Sequence, residues 1–280
     1  MTRKYVWCAW WIPAVRPEPM EALRRREGES PGVLSKSAES FGAVTPYYDE
    51  LMKAVPYRMW VGYYMLLLSH QDAHPKSVLD VCCGTGTMCE MLHDEGYRMA
   101  GLDLAPGMIE AARRKAKRKG LNIRYEVADA STFEMGEMYD AALSFFDSLN
   151  NILQPGKLLS AFQHVYRHLN PGGSFVFDLN TAFAFQEQMF DQTLLRKNAK
   201  LQYDWKGHWD PETREIRVDM DFWYRGEYFS EVHRQRAYER DEVESMLEEA
   251  GFARIKAFHS YTLNPPRPTS DRLHYTAIKP

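Results

Sequence analysis

The spacing of apolar and polar positions changes along the chain, and each change marks a different kind of element. From Tyr47 to Leu68 apolar residues recur at helical spacing, interrupted at Pro56, which predicts two helical pieces. Ser77–Cys82 is a short continuous strand pattern that runs straight into Gly84-Thr85-Gly86. Thr87–Glu95 then sets Met88, Met91 and Leu92 on one side, as a helix does. Tyr97–Leu104 reads as a second strand, and Pro106 opens another helix at a position where its missing N–H costs little. Strands follow at Ile123–Ala128 and Tyr139–Phe145, and a helix from about Leu158 to Leu169. The turn Asn170-Pro171-Gly172-Gly173 leads into a strand at Ser174–Leu179. Strands alternating with helices of this length imply βαβ units and a parallel sheet covered on both faces.

After Asn180 the period becomes two. In Glu215–Phe222, Ile216, Val218, Met220 and Phe222 alternate with Glu215, Arg217, Asp219 and Asp221, the pattern of an antiparallel strand with one wet face. Asp210-Pro211-Glu212-Thr213 and Arg225-Gly226 supply turns on either side. A meander of about three strands over roughly 200–238 is therefore expected, inside an insertion of about 181–238. A helix over Arg240–Ala250, closed by Gly251, and strands at Phe252–His259 and Leu273–Ile278 complete the pattern. The fold class that fits is α/β, a Rossmann-like doubly wound sheet of seven strands with an inserted antiparallel sheet. One domain over 41–280 fits better than two, with residues 1–40 as a loosely ordered extension.

Composition narrows the function classes. In 280 residues, Lys and Arg number 35 against 38 Asp and Glu, so a dedicated nucleic-acid binder with a basic excess is not expected. The longest uncharged apolar stretch, Val61–Leu68, is far short of the roughly 20 residues that span a bilayer. Arg3 and Lys4 before Tyr5–Val15 have the layout of a signal peptide, but Trp7, Trp10, Trp11 and Pro13 make a poor apolar helix. Three of the four cysteines, Cys82, Cys83 and Cys89, fall together, which suits a reducing compartment. A cytoplasmic protein acting without membrane or nucleic acid, as a monomer or homodimer, is the expectation. The basic run Arg113–Lys119 reads as a solvated helix end that complements the helix dipole.

Chemistry concentrates in Val78–Thr87. A glycine-bearing turn after the first strand lets main chain approach a ligand, and the helix after it offers free N–H groups. The second strand ends in Asp103, 23 residues after Asp80, where a carboxylate can accept both hydroxyls of a ribose. The alternative for Asp103 is capping the helix that opens at Pro106. Cys89 stands where a dinucleotide site would have its third glycine, which favours a smaller adenosine ligand. A zinc site of Cys82, Cys83, Cys89 and His93 is disfavoured, because neighbouring strand residues point to opposite faces. No metal is expected. Thiols in this loop would be alkylated in a manner that bound ligand blocks.

These segments resemble the class I S-adenosylmethionine (SAM)-dependent methyltransferases. Val78–Thr87 is similar to their first motif, Asp103–Met108 to their second, Val127-Ala128-Asp129-Ala130 to the adenine-flanking segment and Leu169–Gly173 to the turn before the fifth strand. Tyr48–Met52, Tyr57–Trp60, Asp147-Ser148-Leu149-Asn150 and Glu231–Tyr238 resemble bacterial small-molecule methyltransferases with a β insertion. The resemblance implies SAM as cofactor, with Asp103 at the ribose, Asp129 at the adenine amino group, and Ala130 and Leu104 lining the adenine pocket. Cys82 and Gly84 would offer main chain to the methionine part, with Tyr48, Tyr57 and Trp60 closing over it. Asp80, Gly86, Met108 and Phe146 complete the cofactor set. Cys82 departs from the glycine that many members carry there. Aromatic faces near a sulfonium are favourable, although Tyr57 and Trp60 have helix packing as an equal alternative.

For proton removal from the acceptor, His233 on the insertion and Asp147 beyond the fourth strand are the candidates. The plainer alternatives are a partly exposed sheet residue for His233 and loop capping with Ser148 and Asn150 for Asp147. The expected function is methyl transfer from SAM to nitrogen or oxygen of a small molecule, with the insertion capping the acceptor site. A non-catalytic SAM-binding protein and an RNA or protein methyltransferase are the other classes considered.

Overall fold

A computed structural model describes residues 41–195, 199–225 and 227–280; the expected loose extension over 1–40 and the Gly226 turn position lie outside them. The chain enters through α1 (Tyr48–Leu51), flanked by 3-10 turns at Thr45–Tyr47 and Met52–Ala54, and continues into α2 (Tyr57–His70) after Pro56. There follow β1 (Ser77–Val81), α3 (Thr87–Asp94), β2 (Arg98–Asp103), α4 (Pro106–Lys119), β3 (Arg124–Val127), β4 (Tyr139–Ser144), α5 (Pro155–Arg167) and β5 (Leu169–Asn180). After α6 (Ala182–Gln186) come β6 (Gln192–Leu194), β7 (Leu201–Asp210), β8 (Glu215–Tyr224) and β9 (Glu227–Arg236). The chain ends with α7 (Arg240–Glu249), β10 (Ala253–His259) and β11 (Arg272–Ile278).

The main sheet has the order β10-β11-β5-β4-β1-β2-β3, all parallel except β11, which pairs antiparallel with both β5 and β10. Every residue of β1 is buried, as expected of a central parallel strand covered on both faces. From β1 the chain winds outward through β2 and β3, and from β4 it winds the opposite way through β5. The sheet therefore reverses direction between the neighbouring strands β1 and β4. Side connections leave to opposite sides at such a point, so a crevice opens beyond the carboxyl ends of the two strands. Cys82–Gly86 and Phe145–Ser148 are the segments that reach it.

Two expectations change. The Asn170–Gly173 turn lies inside β5 as an irregularity, because Tyr139 pairs with Leu169 while Ala141 already pairs with Ser174. The insertion sheet has four strands, in the order β6-β7-β8-β9. The short β6 was missed because three residues carry too little alternation to read. Along β8 the alternation holds, with Ile216, Val218, Met220 and Phe222 buried against Leu201, Tyr203 and Trp205 of β7. Trp205 belongs to this core.

Candidate functional site

The loop after β1 is bent by three left-handed residues, Cys82 (φ 65°), Gly84 (φ 54°) and Gly86 (φ 77°). Glycine meets this requirement without cost at two of them, whereas an L side chain costs roughly 1–2 kcal/mol. Cys82 is thus the strained member, which explains in physical terms why glycine suits that position. The bend is held by main chain: the Cys83 N–H donates to Leu102 O of β2 at 2.9 Å, and the Gly86 N–H to Cys83 O at 2.9 Å. A side chain at Gly84 would meet nothing nearer than the Tyr48 ring at 3.9 Å, so a bound group has room to lie against this main chain.

Asp103 closes the loop from the end of β2. Its Oδ2 accepts the Gly84 N–H at 2.8 Å and its Oδ1 the Ala105 N–H at 2.9 Å. The carboxylate therefore ties the glycine loop to the start of α4, which goes beyond the simple cap considered as its alternative. Burial raises its pKa, opposed by those two N–H groups. Next to it, Leu104 (66% exposed) and Val127 (47% exposed) leave apolar surface uncovered at the ends of β2 and β3. Nothing in the fold requires an apolar pair there; a flat apolar group is what it accommodates. Asp129 is held by the N–H and hydroxyl of Ser131 at 2.8 and 2.7 Å. Burial raises its pKa, but these bonds outweigh burial and the net direction is down.

A cleft of about 370 Å3, counting its mouth open to solvent, lies over the loop. Tyr48, Tyr57, Asp80, Cys82, Gly84 and Phe146 all face it. Trp60 is buried behind them, with its ring 3.6 Å from Phe146 and stacked on Tyr261 at 5.7 Å. Burial pushes Asp80 up to about 7, against the Cys89 S–H that its Oδ2 accepts at 3.3 Å. Met108 is buried in the protein and does not line this cleft; Ala130 is likewise buried.

A family described as methyltransferase domain matches residues 78–173. The chain is 28% identical over 239 residues to a protein of Geobacillus sp. (strain WCH70) named as a methyltransferase, covering 83% of this chain and 97% of that one. A SAM-dependent methyltransferase from Clostridium acetobutylicum has the same fold, with TM-score 0.74 and 23% identity over 86% of this chain and 99% of that one. The sugar N-methyltransferase KedS8 from Streptoalloteichus superposes with TM-score 0.72 and 20% identity, over 90% and 99% of the two chains. The chain carries a methyltransferase domain on the fold of the class I SAM-dependent methyltransferases.

The structure departs from the sequence reading at the two candidate bases, His233 and Asp147. His233 is 4% exposed rather than partly solvated, because β9 turns Glu231, His233 and Gln235 inward together. The His233 Nε2 lies 2.7 Å from Glu231 Oε2. Glu231 also accepts the N–H groups of Val44 at 2.8 Å and Phe41 at 3.3 Å, fastening the segment before α1 to the insertion. Asp147 does not cap its loop with its side chain. Its Oδ1 accepts from Arg272 Nη2 at 2.8 Å and its Oδ2 from Gln235 Nε2 at 2.6 Å. Arg272 (0% exposed) also binds Asp178 through Nη1. Burial raises the pKa of Asp147, with Arg272 and Gln235 opposing, and pushes Asp178 up to about 6.

Arg272, Asp178, Gln235, Glu231 and Val127 were missed as site residues. Only Glu231, Gln235 and Val127 carried a signal, since they stand inside segments already singled out. Lys115 was read as part of a solvated run, yet its ammonium reaches Thr87 Oγ1 at 3.1 Å and Asp49 Oδ1 at 3.2 Å, beside the glycine loop. The expected alkylation of the loop thiols is also revised. Burial raises Cys82 and Cys83 well above the ordinary thiol range and Cys89 to about 11, so thiolate is scarce at neutral pH. Among the described residues, no group of three or more His, Cys, Asp and Glu side chains could hold a metal ion, and no helix is long and apolar enough to cross a membrane.

Proposed function

We propose that this protein transfers the methyl group of SAM to a nitrogen or oxygen of a small molecule held beneath the insertion sheet, in one domain over 41–280. The observation that carries this reading is the switch-point cleft, with an open main-chain cradle at Gly84 and the rings of Tyr48, Tyr57 and Phe146 around it. On the cofactor side, the two Asp103 oxygens, already oriented by Gly84 and Ala105, hold the ribose hydroxyls. Asp129 takes the adenine amino group, and Leu104, Val127 and Ala130 cover the ring. Cys82 and Gly84 present main chain to the methionine part, and Tyr48, Tyr57 and Phe146 exclude water.

Bound SAM supplies a methyl group already activated by a positive sulfur. The protein's task is then alignment, together with removal of one proton where the acceptor is an amine or hydroxyl. His233 is our candidate for that removal, with Glu231 holding the Nε2 side of its ring. Asp147, engaged by Arg272 and Gln235, serves as a support and not as the base. A small acceptor is supported by likeness to KedS8, a sugar N-methyltransferase, and the formal net charge of −3 speaks against a nucleic-acid acceptor.

Calorimetry with SAM tests the reading. The wild type binds, and Asp103→Ala weakens binding by roughly ten- to a hundredfold, the effect of losing hydrogen bonds to a charged group. No binding by the wild type removes the proposal; equal binding by the variant removes the ribose role of Asp103.

A further inference from the structure

Phe146 and Asp147 are consecutive non-glycine residues in the left-handed region, with φ of 71° and 47°. Such conformations cost roughly 1–3 kcal/mol each and persist only where the surroundings over-determine them. Here the determination comes through Asp147, whose polar atoms are all engaged. Its N–H donates to Asp178 Oδ1 at 3.1 Å and its carbonyl accepts the Asn150 N–H at 3.0 Å. Its two carboxylate oxygens take Arg272 and Gln235. The consequence is that Phe146 turns the other way, into the cleft, 5.0 Å from the Tyr57 ring and against Trp60.

Three of those four partners belong to the main domain. Gln235 alone comes from the insertion sheet, 88 residues away in the chain. Its amide is 4% exposed, and while Nε2 is spent on Asp147, its Oε1 has no hydrogen-bond donor among the described residues. A buried carbonyl oxygen without a donor is costly unless something outside the chain supplies one. Among the described residues, Asp147 is thus the hydrogen-bond partner of the Gln235 amide.

We infer that Gln235 is a positioning residue that links the insertion sheet to the cofactor wall: its Nε2, through Asp147, sets the Phe146 ring against the cofactor. The inference rests on the methyl-transfer reading above. It makes the insertion more than a cover, because the amide it contributes holds Asp147, and with it Phe146, in place.

The test is a double-mutant cycle on the full chain, read as affinity for S-adenosylhomocysteine by calorimetry, with thermal unfolding recorded in parallel. Gln235→Met keeps the side-chain volume but cannot donate to Asp147. It weakens binding about three- to tenfold, the worth of roughly one ordinary hydrogen bond, because the effect reaches the cofactor only through Phe146. In the Phe146→Ala background the same change has no further effect, because the route to the cofactor is already cut. A generally loosened fold would lower affinity in both backgrounds and would not give this loss of additivity. Unchanged affinity in Gln235→Met, or losses that multiply in the double variant, overturns the proposal. Should Gln235→Met not fold, Gln235→Asn, whose amide stops short of Asp147, is judged by the same outcomes. A wild type that binds no S-adenosylhomocysteine brings down the methyl-transfer reading and this inference with it, whereas failure of the cycle alone leaves that reading standing.

Discussion

On the cofactor side of the cleft, a carboxylate meets the N–H of a loop only 19 residues away in the chain, Asp103 to Gly84. On the acceptor side, Asp147 meets Gln235 and Arg272 at separations of 88 and 125 residues. The first wall is made of main chain bent into left-handed turns on successive strand ends. The second is made of side chains from four elements whose charges are removed from water. Main-chain geometry follows from a few local residues and keeps its shape when neighbours change. A buried ion cluster holds only while every member is present, since a carboxylate stripped of its partner in the interior is strongly disfavoured. The cofactor wall is thus robust to change at single neighbours, and the acceptor wall is fragile.

Breaking the acceptor wall gives the largest effect expected. Arg272→Met leaves Asp147 and Asp178 buried without their shared cation and lowers stability by about 3–5 kcal/mol, read as a shift of the denaturant midpoint at constant slope. A loss below about 1 kcal/mol would mean that the two walls do not differ as described.

Next comes His233→Ala. Once an acceptor is identified, it lowers kcat by about a hundredfold or more with SAM affinity unchanged, and it removes one limb of the pH–rate profile. An unaltered profile would leave His233 as a support for Glu231 alone.

The buried acids sharpen the comparison through pH. Burial raises Asp80 to about 7 and Asp178 to about 6 in the folded protein, above their ordinary carboxylate value of 3.8. The folded state therefore binds more protons than the unfolded state between about pH 4 and 7. The stability these groups contribute is fully present below about pH 4 and is lost as pH rises through 6 and 7. Asp80→Asn should flatten its part of that fall, which urea midpoints measured across the window would show. A slope equal to that of the wild type would remove Asp80 as a source.

The smallest change concerns strain on the cofactor wall. Cys82→Gly relieves a left-handed side chain and should stabilise by up to about 1 kcal/mol while leaving SAM affinity within a factor of two. A loss of stability would show that the packing of the Cys82 side chain outweighs its strain.

The contrast between the walls also explains what could be read without coordinates. The cofactor wall was legible because its determinants are contiguous. Gly84 and Gly86 meet a left-handed requirement that few residues meet, and Asp103 follows at the end of the next strand. The acceptor wall was legible only at His233 and Asp147, within segments singled out by resemblance, and their surroundings were read incorrectly. Nothing near Arg272 announces that its side chain is fully buried. An arginine at a strand start is ordinarily a solvated residue, and its burial depends on Asp147 and Asp178 arriving at the same place. Lys115 was misread for the same reason, as its run of cations carries no mark of the one that turns inward to Asp49 and the glycine loop.

The sequence by itself determined the alternation of strands and helices along the main domain and the cofactor loop, since hydrophobic period and glycine placement act over a few residues. Only the tertiary structure decided which polar side chains of β9 turn inward, which cation neutralises the buried acids, and how Gln235 meets Asp147. Those choices depend on the closing of long loops and on desolvation shared among distant residues, and no local pattern records either.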